Sequence, residues 1–154
     1  MDDVRDAVLP TFLSESEENL EALEQALLGF DRAANRDEAI GAIFRLTHTL
    51  KGNSESLGIE AMSQCAHALE SVLDAVRGGA VPVTPGLVTV LLEGRDALRS
   101  MLSTVAAGGA PVLDAFDAIM HALAEAASGH VTPASIDSPA PIAPVAAGSD
   151  APAR

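Results

Sequence analysis

An all-α fold, an up-and-down antiparallel four-helix bundle with a short fifth helix packed alongside, is predicted by three features of the chain. Apolar residues recur at steps of three and four through five segments. No stretch alternates in the two-residue period of a half-buried strand. The joints between segments are a few residues long, which forces neighbouring helices to run antiparallel. With 154 residues, 48% of them hydrophobic, the chain can fill one such core but not two ordinary ones.

In the first segment Leu9, Phe12, Leu13, Leu20, Leu23, Leu27 and Phe30 share a stripe whose one polar member is Ser16. Pro10 fits if Asp6 caps this helix and the proline lies in its first turn, where no intrahelical donor is lost. The second helix begins at Asn35, with Glu38 as its capping-box partner, turns Ile40, Ile43, Phe44, Thr47 and Leu50 inward, and ends near Gly58. The third presents Ile59, Met62, Ala66, Leu69, Leu73 and Val76 before Gly78 and Gly79 stop it. The fourth starts at Thr84-Pro85 and presents Leu87, Leu91, Leu98, Met101, Leu102 and Val105. A short fifth helix uses Leu113, Phe116, Met120 and Leu123, with Gly129 beyond its end. From Val131 to Arg154 the period disappears and five of the nine prolines gather among Ala and Ser, so 131–154 reads as a disordered linker or tail.

Composition narrows the function. Twenty-two acidic residues against nine Lys and Arg give a net charge of −13, and there is no Trp or Tyr to stack on bases, which argues against nucleic-acid binding. No segment has the ~18–20 consecutive apolar residues of a membrane span, and the start MDDVRDAVL does not read as a signal peptide. The single cysteine, Cys65, has no internal disulfide partner. A cytoplasmic location is expected. The acids crowd residues 1–30, where only Arg5 opposes them, whereas residues 31–60 carry Arg32, Arg36, Arg45 and Lys51 against five acids. A solvated helix face explains the first stretch, and the near-neutral second is where a functional site is expected.

With Ile40 at zero and about 100° per residue, His48 falls near 80°, on the shoulder between the apolar face and solvent. Its helical neighbours are Gly41, Phe44, Arg45, Lys51, Gly52 and Glu55. Two glycines inside a helix cost roughly 1 kcal/mol each against alanine. Beside His48 they would let another protein approach the ring. On the third helix His67, Glu70 and Asp74 form a polar strip, and antiparallel pairing brings position 70 within about two turns of position 48. A Glu70 carboxylate accepting from Nδ1-H would fix the tautomer and turn the Nε2 lone pair outward, while Lys51 would offset charge on an incoming phosphoryl group. By itself, a histidine on a helix shoulder is usually no more than solvated or at the core edge. His121 and His130 lack any such surrounding motif.

The run His48-Thr49-Leu50-Lys51-Gly52-Asn53-Ser54, with Leu57-Gly58 after it and His67-x-x-Glu70 on the next helix, resembles the amino-terminal phosphotransfer domain of CheA-type chemotaxis histidine kinases. The resemblance extends over residues 5–128. It implies that His48 is phosphorylated on Nε2 by the ATP-binding domain of the kinase, in cis or in trans. The phosphoryl group then passes to an aspartate of a CheY-like or CheB-like response regulator. Lys51, His67 and Glu70 would form the supporting network, while position on the helix beside His48 makes Gly41, Phe44, Arg45, Lys51, Gly52 and Glu55 the expected partner-binding strip. The domain would bind no cofactor or metal of its own, drawing its phosphoryl group from ATP-Mg on the separate kinase domain, and would reside in the cytoplasm, at chemoreceptor or cytoplasmic signalling clusters. No Gly-rich nucleotide box occurs, so the chain alone reads as a phosphoryl carrier whose parent is a histidine kinase. Many members carry an aromatic residue where this chain has Ile59, a change expected to alter packing and not chemistry.

Three other readings remain open at this level. A stand-alone or hybrid-kinase relay protein would share the chemistry, although such domains often lack the His67-Glu70 pair. A metal site of His48, His67, Glu70 and Cys65 is disfavoured by the helical wheel. With Leu69 at zero, Cys65 lies near −40°, Glu70 near 100° and His67 near 160°. A purely structural adaptor would leave His48 incidental.

Overall fold

A computed structural model describes residues 2–134. Its helices are α1 (Asp2–Leu28), α2 (Arg36–Ser56), α3 (Glu60–Arg77), α4 (Pro85–Ala106) and α5 (Asp117–Ala127), with 3-10 turns at Phe30–Arg32 and Leu113–Phe116 and no strand among the described residues. α1 packs on α2 and α4, α2 on α3, and α3 on α4, which closes a four-membered ring; α5 lies against both α3 and α4. The architecture is the up-and-down bundle with a fifth helix alongside that the apolar periods predict.

The stripes of the first four helices converge on one core, in which Leu20, Leu23, Ile43, Leu50, Met62, Leu69, Leu73, Leu87, Leu98 and Met101 are fully buried. Each such side chain contributes roughly 1.5–3 kcal/mol relative to remaining in water. The caps of α2 and α4 fall where the sequence puts them. Asn35 accepts from the Glu38 amide at 3.1 Å and Thr84 from the Leu87 amide at 3.1 Å. The α2–α3 corner fixes which residues of the two helices face each other. Gly58 adopts φ +69°, its amide donates to Glu55 O and the Ile59 amide donates to Ser54 O, the double bond pattern that closes a helix over a left-handed residue. Ile59 is itself buried at this corner.

Three expectations need correction. α1 starts at Asp2, so Pro10 lies inside the helix and Asp6 does not cap it. The turn around Pro10 is exposed, and water can take the carbonyl that lacks a proline N–H donor. In the fifth helix the buried face is Ile119, Ala122, Leu123 and Ala126, while Leu113, Phe116 and Met120 are only partly buried. Leu113 and Phe116 sit in a 3-10 turn, whose three-residue repeat shifts the stripe relative to an α-helix starting at residue 113. Finally, residues 131–134 do not behave as a tail. Val131 packs on the core, Pro133 is buried, and the Ala134 amide donates to Glu93 Oε1 at 2.8 Å. The rest of that segment, 135–154, lies outside the described residues.

Two features left no mark in the apolar pattern. A Cβ on Gly94 would stand 2.7 Å from Leu69 Cδ2 and 3.4 Å from Leu123 Cδ1, so the glycine is what lets α3 and α5 close on α4. Arg95, 3% exposed, donates from Nε to Leu20 O at 3.0 Å and pairs with Asp96 and Glu24 at 3.0 and 3.5 Å. That set satisfies a buried cation and ties α4 to the middle of α1.

Candidate functional site

Thr47 and Leu50 are buried, so the backbone between them turns His48 out onto the shoulder of α2, where its side chain is 62% exposed. Thr47 is accommodated in the core by donating its hydroxyl to Ile43 O at 2.9 Å. Across the Gly58 corner α3 runs back antiparallel and brings Glu70 to the level of His48. His48 Nδ1 donates to Glu70 Oε2 at 2.5 Å, and Lys51 Nζ donates to Glu70 Oε1 at 2.8 Å. Both oxygens of one carboxylate, itself only 9% exposed, are thereby used.

Because a carboxylate accepts, Nδ1 carries the ring proton and the Nε2 lone pair points away from Glu70 towards solvent. Burial raises the affinity of Glu70 for a proton, but the hydrogen bonds from Lys51 and His48 outweigh it and hold the carboxyl below its ordinary range. The Lys51 ammonium is held above its usual 10.5, chiefly by its hydrogen bond to Glu70. The site is therefore a fixed anion that orients an exposed imidazole, with a cation one turn along.

These shifts make a prediction about stability. A carboxyl whose folded pKa is depressed contributes stability that is complete above its unfolded pKa, near 4.5, and is lost as pH falls through the folded value. At the alkaline end the Lys51 contribution is lost as pH rises through its folded pKa above 10.5. In urea unfolding, the stability difference between wild type and Glu70→Gln should be constant from about pH 7 to pH 5 and shrink towards pH 3. A difference that did not change with acid would show that the carboxylate charge is unimportant here.

The other expected residues divide. Phe44 is half-buried and its ring stacks on His48, with centroids 6.1 Å apart and planes at 11°. Gly41, Arg45, Gly52 and Glu55 lie on the same face of α2, with Arg45 and Glu55 exposed. His67 is brought no closer: it is exposed, and among the described residues its imidazole makes no hydrogen bond or ion pair. Its place on α3, about 60° beyond Glu70 and away from the core, turns it to solvent. Cys65 is buried on the opposite side of α3 against Gly94 O, with its thiol pushed up to about 12 by burial. It does not meet His48, His67 or Glu70, and no group of three or more His, Cys, Asp or Glu among the described residues is arranged to hold a metal.

Arg77 is the residue that sequence reasoning missed. Its guanidinium carbon stands 4.5 Å from the Phe44 ring centroid. The available signal was its position seven residues after Glu70, two turns along the same face of α3.

Residues 7–108, from the second turn of α1 to just beyond α4, match the family described as Hpt domain. The chain belongs to the Hpt domain family. The His48, Lys51 and Glu70 constellation lies wholly within the Hpt match. The chain is 38% identical over 104 residues to the chemotaxis protein CheA of Halobacterium salinarum, and 33% identical over 119 residues to that of Treponema pallidum. These alignments take in 68% and 77% of this chain but 16% and 15% of the two CheA proteins, so the chain spans a small part of the relatives it matches. Among solved structures it superposes on the phosphorylated P1 domain of CheA3, in complex with CheY6, from R. sphaeroides. The TM-score is 0.73 at 30% identity, covering 80% of this chain and 97% of that one. No helix among the described residues is long and apolar enough to cross a membrane.

Proposed function

We propose that this Hpt domain is a phosphoryl carrier of a chemotaxis phosphorelay, charged by a CheA-type kinase domain in cis or in trans and discharged by a CheY-like or CheB-like response regulator. The observation that carries the reading is the exposed His48 ring, its Nδ1 tied to Glu70 and its Nε2 free. In the first step the Nε2 lone pair attacks the γ-phosphorus of ATP, the Nε2–P bond forms, and the P–O bond to ADP breaks. The positive charge developing on the ring is balanced by Glu70, and Lys51 is one turn from the incoming anion. In the second step an aspartate oxygen of the regulator attacks phosphorus, the N–P bond breaks, and the imidazole leaves neutral, its proton still on Nδ1 and donated to Glu70. The ATP and its magnesium belong to the kinase domain, and the carrier holds no cofactor of its own. His67 belongs to the supporting network in this scheme by its place beside Glu70 on α3, without a hydrogen bond or ion pair of its ring among the described residues. A cytoplasmic location, at receptor or cytoplasmic signalling clusters, fits a shuttle between these partners.

The test is direct. Incubated with a CheA-type ATP-binding domain and labelled ATP-Mg, the chain should gain an acid-labile, base-stable label. A response regulator should remove it only when its acceptor aspartate is present. Label that survives acid, or that no regulator removes, would overturn the reading.

The docking strip is Gly41, Phe44, Arg45, Gly52 and Glu55. A Cβ on Gly52 would meet nothing within 4 Å, so folding alone does not require glycine there. Gly52→Ala should therefore stabilise α2 by about 1 kcal/mol and raise Tm by about 2–6 °C. If the clearance serves a partner, the same change should slow transfer to the regulator by about fivefold, the kinetic equivalent of a ~1 kcal/mol clash. Faster or equal transfer in the stabilised protein would remove Gly52 from the strip.

A further inference from the structure

Nothing in the carrier chemistry uses Arg77. The residue sits at the last turn of α3, exposed, one turn beyond Asp74. Among the described residues no carboxylate lies within ion-pair distance of it, in a chain with 22 acids. Its guanidinium lies instead over the face of Phe44, 4.5 Å from the centroid. Phe44 in turn stacks on His48 with centroids 6.1 Å apart and planes at 11°, an offset-parallel arrangement. Three groups from two helices thus form one file: cation, benzene ring, imidazole.

We propose that Arg77 is a positioning residue for phosphoryl acceptance, acting on His48 through Phe44. A hydrogen bond from Nδ1 fixes the ring at one point and leaves it free to swing about that bond. A flat neighbour against the ring face removes that freedom, because tilting the imidazole separates the stacked faces. Phe44 is only half-buried: part of it packs on the core, and the guanidinium from α3 restricts the turning that this packing leaves to it. Glu70 therefore sets which nitrogen is outward, and the Arg77–Phe44 pair sets the direction in which its lone pair points. In-line attack on phosphorus depends on that direction.

The inference rests on His48 being the phosphoryl acceptor, and its test needs no protein partner. Phosphoramidate is a small donor: Nε2 attacks phosphorus, the P–N bond of the protonated donor breaks, and ammonia leaves. With no docking surface involved, the rate reports the ring alone. Arg77→Gln and Phe44→Leu should each slow phosphorylation by about three- to tenfold, the range set by one ring contact and one exposed cation–ring contact. The double variant should be no slower than the slower single one, because both act through the same file. Phe44→Tyr should stay within about twofold of wild type, since it keeps the stacked face. In NMR spectra, the carbon-bound ring protons of His48 should move in Arg77→Gln towards their positions in Phe44→Leu, although Arg77 does not touch His48. A wild-type rate and unmoved His48 signals in Arg77→Gln would overturn the proposal. So would full additivity in the double variant, which would mean that Arg77 acts on the phosphoryl group by its charge. Failure of the wild-type chain to take the phosphoryl group at all would strike instead at the acceptor assignment.

Discussion

Exchanging His48 for glutamine is expected to abolish phosphoryl acceptance while leaving the bundle intact. The side chain is 62% exposed, and glutamine can still offer an amide N–H to Glu70, so the stability change should stay within about 1 kcal/mol. Glutamine offers an amide where the imidazole offered a lone pair, and an amide nitrogen does not attack phosphorus at neutral pH. The remaining histidines do not substitute. His67, His121 and His130 are exposed, but among the described residues none of them has a carboxylate on its ring, so none has a fixed tautomer and an aimed nitrogen. With a CheA-type kinase domain and labelled ATP, incorporation should fall to background, while far-UV circular dichroism should match wild type and Tm should stay within about 6 °C of it. Label retained on His48→Gln would mean that another nucleophile carries the group, and a collapsed fold would mean that the ring is structural.

The parts of this molecule that were legible in the sequence are those governed by a helical period. Leu20, Ile43, Leu69 and Leu98 announce their burial because each recurs in a stripe, and the level match between His48 and Glu70 comes from two antiparallel helices and one corner at Gly58. What escaped depends on single residues whose partners are far along the chain. Arg95 looks like one more charged helix residue until its Nε meets Leu20 O, 75 positions away. Gly94 looks like a helix weakness until a neighbouring Leu69 needs its space. Arg77 looks like a favourable charge at a helix C-terminus, and indeed lies in the last turn of α3. Only the packing of α2 on α3 reveals that its cation rests on Phe44. Pro10 misled for the opposite reason. Proline is usual in the first turn of a helix, but an exposed turn inside α1 tolerates the missing donor as well.

Removing the carboxylate that orients the ring should be the second largest effect, and two substitutions separate its components. Glu70→Ala deletes both hydrogen bonds, from His48 Nδ1 and from Lys51 Nζ, so the imidazole loses its preferred tautomer and its hold. A nucleophile held in the wrong orientation for part of the time loses rate in proportion, and phosphorylation should slow by about 10- to 100-fold. Glu70→Gln keeps an oxygen that can accept from Nδ1 but cannot balance positive charge on the phosphorylated ring. Its rate should therefore fall between wild type and Glu70→Ala if orientation and charge both contribute. Lys51 is 20% exposed and can turn its ammonium to water, so neither change should cost more than about 1–3 kcal/mol of stability. Single-turnover phosphorylation by the kinase domain, with Tm measured alongside, reads both effects. Wild-type rates in both variants would reduce Glu70 to a structural partner of Lys51. A Glu70→Gln rate equal to that of Glu70→Ala would assign the effect to charge alone, with the direction of the ring left to its packing against Phe44.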